Sequence, residues 1–427
     1  MGRASNLAVA GLADLPGPKA GTVAGRCRLG GALRLRSSRL RCLPKAIKVE
    51  TFVTSTSQIL FQPIEIGAMS VRNRIAMAPM TREFAQDGVP GADVVDYYRR
   101  RAEGGTGLII TEGMAVNAAG AHDAPIPLFY QPETIDAARA ITDAVHAAGA
   151  KIAVQLWHVG IQDSLTQLNP DAVRTRPSRV GPSGIAANGG AGGSALDEQG
   201  IANTIADYAK AATAAKQAGF DAIEIHGAHG YLPDQFLWAR TNKRSDHYGF
   251  AQRTRFGCEL VRACRAAVGA DLPIIWRFSQ WKTGDYDARI ADTPDELASI
   301  LRPLAEAGVD AFHCSTRRFW DPAFGGEATT LAGWARKLTG KPVIAVGSVT
   351  LEQDFKEGLS EGVGGISESA PRSKDVDDVA RLIEAREFDM IAVGRAMIAN
   401  PDWANLVRDN RVEALRPFTR DMLARLA

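Results

Sequence analysis

Eight short runs of aliphatic and β-branched residues recur along the chain from residue 61 onward: RIAMAPM (74–80), GLIITEG (107–113), KIAVQLW (151–157), DAIEIHG (221–227), PIIWRFS (273–279), DAFHCST (310–316), PVIAVGS (342–348) and DMIAVGR (389–395). Their apolar residues are consecutive rather than alternating, so both faces of each strand must be covered, as in a parallel sheet. Between them lie stretches with apolar residues three and four apart, at 132–148, 203–218, 252–268, 293–307 and 374–385. That is the period of helices packed by one face. Several end in Ala-Gly, as at 147–149, 217–219 and 306–308, where glycine supplies the left-handed residue that closes a helix. Eight strand–helix repeats close most simply into a barrel, because doubly wound sheets usually stop short of eight strands. The expected fold is therefore α/β, a (β/α)8 TIM barrel forming one domain over residues 58–427. Catalytic groups then belong at the C-terminal ends of the strands. The long connection 158–200, rich in Gly, Pro and Asn, reads as a loop over that mouth.

Charge is unevenly placed. Residues 1–49 hold ten Lys and Arg against one acid, Asp14, while the whole chain has 50 basic and 48 acidic residues; 50–427 therefore keep 40 against 47, a net of −7. An acidic body is a poor candidate for nucleic acid. The Arg-rich start lacks the continuous apolar segment of a secretory signal, so residues 1–57 read as an organelle transit peptide, or as a disordered or spurious extension upstream of the true start. Otherwise the expected compartment is the cytoplasm. No run approaches the ~18–20 apolar residues that a bilayer crossing requires, so no membrane association is expected. Five cysteines without a CxxC spacing indicate reduced thiols rather than a disulfide framework or a zinc or iron–sulfur knuckle. Monomer and homo-oligomer both remain open.

The strand tails, read in order, offer Thr81; Glu112 and Gly113; Gln155 and Trp157; His226, His229 and Tyr231; Arg277; Gly347 and Ser348; Gly394 and Arg395. Cations, imidazoles and a phenol meeting at one mouth suit a planar, electron-rich ligand that carries a phosphate. Barrels often bind phosphate after strands seven and eight, where a small residue lets backbone amides approach and Arg395 adds a two-pronged cation. The two histidines of HGAHGY (226–231) admit three readings. A metal pair at this spacing usually sits on a helix with a carboxylate ligand nearby, and Gly227 and Gly230 break any helix here. A structural pair of loop histidines is the plain reading; neutral imidazoles donating to a substrate oxygen beside Tyr231 is the functional one. Arg277 paired with an internal acid, and Trp157 with Gln155 as ordinary core, are likewise open.

At this point the chain resembles the old yellow enzyme family of FMN-dependent ene-reductases. The resemblance covers about residues 60–418 and rests on LFQPIEIGAMSVRNRIAMAPMTR, LIITEG, QLWHVG, IHGAHGYLPDQFLWARTNKRSDHYG, RFS and VGRAMIANPDW. It implies that Thr81 bonds the flavin near O4, that Pro79 and Met80 line its rings, and that Gly113 lies beside them. Gln155 is implied at the pyrimidine edge and Arg277 by N1 and O2, where a fixed cation favours the reduced cofactor. Gly347, Ser348, Gly394 and Arg395 would hold the phosphate of a non-covalent FMN. His226 and His229 resemble the pair that grips the carbonyl oxygen of an enone, Tyr231 the proton donor to its α-carbon, and Trp157 a wall of the pocket. NADPH or NADH is the implied reductant, and no metal is implied.

The sequence departs from the family in RFSQWK, where Gln280 and Trp281 follow the fifth strand, and in VGSVT, which lacks the second glycine of a common phosphate loop. Three other activities compete: an amine or alcohol dehydrogenase or demethylase on the same barrel, a metal-dependent hydrolase using His226 and His229, and a non-catalytic binding protein.

Overall fold

A computed structural model describes residues 56–162, 179–325, 328–352, 369, 371–372 and 374–426. The leader, to residue 55, and 163–178 of the long connection lie outside the described residues. All eight runs form strands: β1 (Ile75–Met77), β2 (Leu108–Ala115), β3 (Lys151–Trp157), β4 (Ala222–His226), β5 (Ile274–Phe278), β6 (Ala311–Ser315), β7 (Val343–Val346) and β8 (Met390–Val393). They close in chain order into a parallel barrel, with β8 returning to β1.

Residues apolar on two faces are used on both. Small and aliphatic side chains such as Ala76, Ile110, Ala153, Ala222, Ile275, Ala311 and Ala392 fill the barrel interior. The opposite faces, including Ile109, Ile152, Val154, Ile223, Ile225 and Ile391, pack beneath the helices. A hairpin of Ile64–Ile66 with Met69–Val71 places Ile66, Met69 and Val71 in the interior cluster. A Cβ at Gly67, the turn of that hairpin, would meet Pro273 and Asp310, which precede β5 and β6. The hairpin therefore plugs the N-terminal end, and the C-terminal end is left for chemistry.

Five expected helices are present, and two have shifted starts. The helix expected from 203 begins at Glu198, because the Asp197 side chain accepts the Gly200 N–H at 2.7 Å. Such a cap supports a first turn that carries no apolar period. The helix expected from 252 begins at Arg255, after a short 3-10 turn, Phe250–Gln252. Helices Ala92–Glu103 and Leu331–Thr339 complete the outer layer. Gly219 and Gly308 take positive φ just past their helices, at 85° and 124°, as the Ala-Gly endings require.

Candidate active site

Parallel register brings polar residues of adjacent strands to one level inside the barrel. Gln155 lies opposite Glu224, His226 opposite Arg277, and Arg277 opposite His313. From that register comes a buried network: Gln155 Nε2 donates to Glu224 Oε1 at 2.7 Å, and His313 Nδ1 meets Glu224 Oε2 at 2.7 Å. Burial alone would raise the Glu224 carboxyl, yet His313, Arg277 and Gln155 together hold it below its ordinary value. Burial lowers His313 despite Glu224, so the contact is a neutral imidazole donating to a carboxylate. Arg277 is fully buried and Glu224 opposes the cost of that burial; a guanidinium there stays charged.

Above this layer lies a cavity of about 410 Å³. Around it are Pro79, Met80 and Thr81 after β1, Trp157 at the end of β3, His229 and Tyr231 after β4, Arg277 in β5, Gly347 and Ser348 after β7, and Gly394 and Arg395 after β8. Eleven of the fourteen site residues expected from the sequence thus share one surface. The other three do not line it. Gly113 packs against Trp157, where a Cβ would come within 2.5 Å of the indole. Gln155 is turned to Glu224. His226, 4% exposed, stands behind the lining with its ring 4.6 Å from Tyr231 and 5.1 Å from His229.

The electrostatics favour neutral rings around a fixed cation. Burial, then Arg277, pushes both His226 and His229 well below the ordinary imidazole value. Burial raises the Tyr231 phenol, with Arg277 opposing. His229 adopts φ 62°, a conformation few residues with a Cβ adopt, and its backbone N–H is held by Ser279 Oγ at 2.9 Å. Its Nε2 meets Ser315 Oγ at 2.7 Å. Some buried polar atoms have no protein partner among the described residues: Arg277 Nε, Ser348 Oγ, His226 Nδ1 and Trp157 Nε1. A Cβ at Gly394 would stand 3.5 Å from the Met80 sulfur, an ordinary contact rather than a clash. Among the described residues no group of three or more His, Cys, Asp and Glu side chains could hold a metal.

Several lining residues escaped the reading of the tails. Ser315 ends β6 and Thr316 and Arg317 follow it, and the rule applied to the other seven strands would have found them. Trp281, Thr283 and Tyr286 come from the loop after β5. Trp281 lies flat on His229 at 4.2 Å, and Tyr286 flat on Trp281 at 5.5 Å. His122 stacks on Trp157 at 5.7 Å. Trp281 is marked in the sequence only as a departure after the fifth strand, and Tyr286 and His122 carry no signal there beyond aromatic character.

Residues 59–367 match the NADH:flavin oxidoreductase / NADH oxidase family. A chanoclavine-I aldehyde reductase of Penicillium roqueforti is 37% identical over 365 residues, covering 80% of this chain and 87% of its own. An NADH oxidase of Thermoanaerobacter brockii is 34% identical over 372 residues, 84% of this chain and 52% of that one; the chain thus spans about half the length of that relative. Among solved structures, morphinone reductase in complex with tetrahydroNAD superposes with a TM-score of 0.67 at 28% identity, covering 85% of this chain and 93% of that one.

Proposed function

The chain belongs to the NADH:flavin oxidoreductase / NADH oxidase family, and from that premise we propose that it is an FMN-dependent ene-reductase, in which NAD(P)H provides a hydride that reaches the double bond of an α,β-unsaturated carbonyl compound. One observation carries this reading: a neutral phenol, a neutral imidazole and a buried guanidinium line the same cavity as two loops suited to a phosphate.

The residues present fit FMN. Arg277 Nε and Ser348 Oγ are buried polar atoms without protein partners, a costly state unless a ligand completes them. Arg277 lies in β5 and Ser348 just past β7, so a ligand that satisfies both reaches across the mouth and carries acceptors at both places. Gly347, Ser348, Gly394 and Arg395 would hold the phosphate; Pro79, Met80 and Thr81 would flank the rings, with Arg277 at their electron-rich edge. Gly113 would act by leaving room for Trp157, and Gln155 by fixing Glu224 beneath Arg277. When bound, FMN supplies a carrier that accepts hydride from the nicotinamide and yields it to the enone β-carbon.

The chain's own groups do the rest. His229, uncharged, offers an N–H donor to the carbonyl oxygen from the cavity wall, with the uncharged His226 ring packed behind it, and a donor already placed stabilises charge developing there without reorganisation. Tyr231 holds its proton across the neutral range and delivers it to the α-carbon. Trp157 and Trp281 exclude water on either side. In this reading residues 58–427 are the catalytic barrel and 1–57 an appended leader. Among the described residues no helix is long and apolar enough to cross a membrane, and Cys258, Cys264 and Cys314 are free thiols, which supports a reducing compartment such as the cytoplasm.

Anaerobic addition of NADPH or NADH to the FMN-loaded protein should bleach its flavin absorbance, and cyclohexenone should restore it. A protein that takes up no FMN, or whose colour the enone fails to restore, overturns the proposal; bleaching of the oxidised flavin by an amine or alcohol, with no reoxidation by the enone, would favour the dehydrogenase reading.

A further inference from the structure

A second cavity, of about 140 Å³, adjoins the first and shares Trp281, Tyr286, Ser315, Thr316 and Arg317 with it. Trp281 stands at the edge they share. The Trp281 indole N–H donates to the Ser315 carbonyl at 3.1 Å while its ring lies between those of His229 and Tyr286. His229 thus lies on one face of Trp281 and Tyr286 on the other, and Arg317 faces both chambers beside them. The smaller chamber is walled by Arg289, Arg317 and Arg318 against Asp287 and Asp321.

Arg317 differs from the arginines around it. Arg289 donates to the Ala288 carbonyl at 3.0 Å, and Arg372 pairs with Asp375 at 3.0 Å. Arg317 is half-buried, faces both cavities, and has no hydrogen bond or ion pair among the described residues. A partly desolvated guanidinium without an acceptor is unfavourable, and its planar fork matches a carboxylate or a phosphate.

We propose that the smaller chamber is an anion subsite organised by Arg317, which takes the carboxylate or phosphate of a ligand whose reacting end lies beside His229 and Tyr231. It rests on the ene-reductase reading for the identity of that reacting end. Two sources carry the required charge: the phosphates of the nicotinamide dinucleotide, and an acidic chain on the enone.

The test compares FMN-loaded wild type, Arg317→Gln and Arg317→Lys. The ligands are NADPH, NADH, cyclohexenone and cyclohexenones bearing carboxyalkyl chains of increasing length. Dissociation constants for NADP+, NAD+ and the acidic enones come from titration of the flavin spectrum; kcat/KM is taken as the ratio of acidic to neutral enone, so any loss common to all ligands cancels. Arg317→Gln should weaken one anionic class by about tenfold or more, the size of a lost charge-assisted contact, and Arg317→Lys should recover part of it. A loss confined to NADP+ assigns the 2′-phosphate, a loss shared with NAD+ the pyrophosphate, and a loss confined to acidic enones a substrate carboxylate. Unchanged binding and ratios for every anion overturn the subsite. Wild type that fails to reduce cyclohexenone overturns the ene-reductase reading instead, and the dinucleotide titrations still decide on Arg317.

Discussion

Tyr231 shows what a single side chain contributes and how it is tested. Burial keeps its phenol protonated well above neutrality, so it can give a proton but is a poor base. Replacing it with Phe removes the proton and leaves the ring contacts with Trp157 and His226 at 5.0 and 4.6 Å largely intact. We expect Tyr231→Phe to slow enone reduction by about a hundredfold or more, the usual worth of a placed general acid, while reduction by NADPH continues at a near-normal rate. Stopped-flow traces of the two half-reactions separate these outcomes; equal slowing in both would remove Tyr231 from its role. This residue was legible in the sequence because it follows a strand end and two glycines. Ser315 was equally legible, sitting at the tail of β6. Its partners were not: contact with His229 Nε2 joins residues 86 apart in the chain, and no local pattern carries such a distance.

At the scale of elements, the loop after β5 is tied to the short helix Leu232–Leu237 after β4 by a buried ion pair. Lys282 Nζ lies 2.9 Å from Asp234 Oδ2, both side chains are fully buried, and the lysine also donates to the Ser279 and Gln280 carbonyls. Asp234 Oδ2 accepts the Gly230 N–H at 2.7 Å. Burial raises the Asp234 carboxyl and lowers the Lys282 ammonium, each partly offset by the other. The pair thereby holds Trp281 against the loop that carries His229 and Tyr231. Lys282→Met strands a buried carboxylate, for which about 3–5 kcal/mol of stability is the usual cost. We expect the double variant Asp234→Asn/Lys282→Met to recover most of that loss in urea unfolding, while the stack of Trp281 on His229 loosens and indole fluorescence changes. A Lys282→Met protein within about 1 kcal/mol of wild type would contradict the staple. The eight strands themselves were readable because apolar runs and Ala-Gly endings are local signals. Two-residue strands such as Ala85–Gln86 and Val89–Pro90 have no period to read, and the QWK turn gains its meaning only from Asp234, 48 positions away.

For the whole molecule, buried titratable groups set opposing slopes of stability against pH. His226, His229 and His313 are all pushed below the ordinary value of 6.5, with burial the main cause. Below that pH the unfolded chain takes up protons that the folded chain refuses, so their contribution is present above about pH 6.5 and is lost as pH falls. Glu112 acts in the other sense. Burial raises its carboxyl from 4.5 to about 7, although the Arg82 backbone N–H, 3.1 Å from Oε2, and the Arg82 charge pull it down. Between those values the folded chain keeps a proton that the unfolded chain releases, which stabilises progressively as pH falls through 7. One raised carboxyl therefore offsets about one of the three histidines, since each proton of difference is worth about 1.4 kcal/mol per pH unit. Glu112→Gln keeps an oxygen for the Arg82 N–H and cannot titrate. Measured by chemical unfolding of the FMN-loaded protein from about pH 7 to about pH 5, wild type should lose stability on acidification, and Glu112→Gln should lose it more steeply, by about 1.4 kcal/mol per pH unit. Parallel slopes in the two proteins would mean that Glu112 is already ionised in the folded state, and the buried carboxyl beneath the Arg82 backbone would then be an ordinary anion held by its amide.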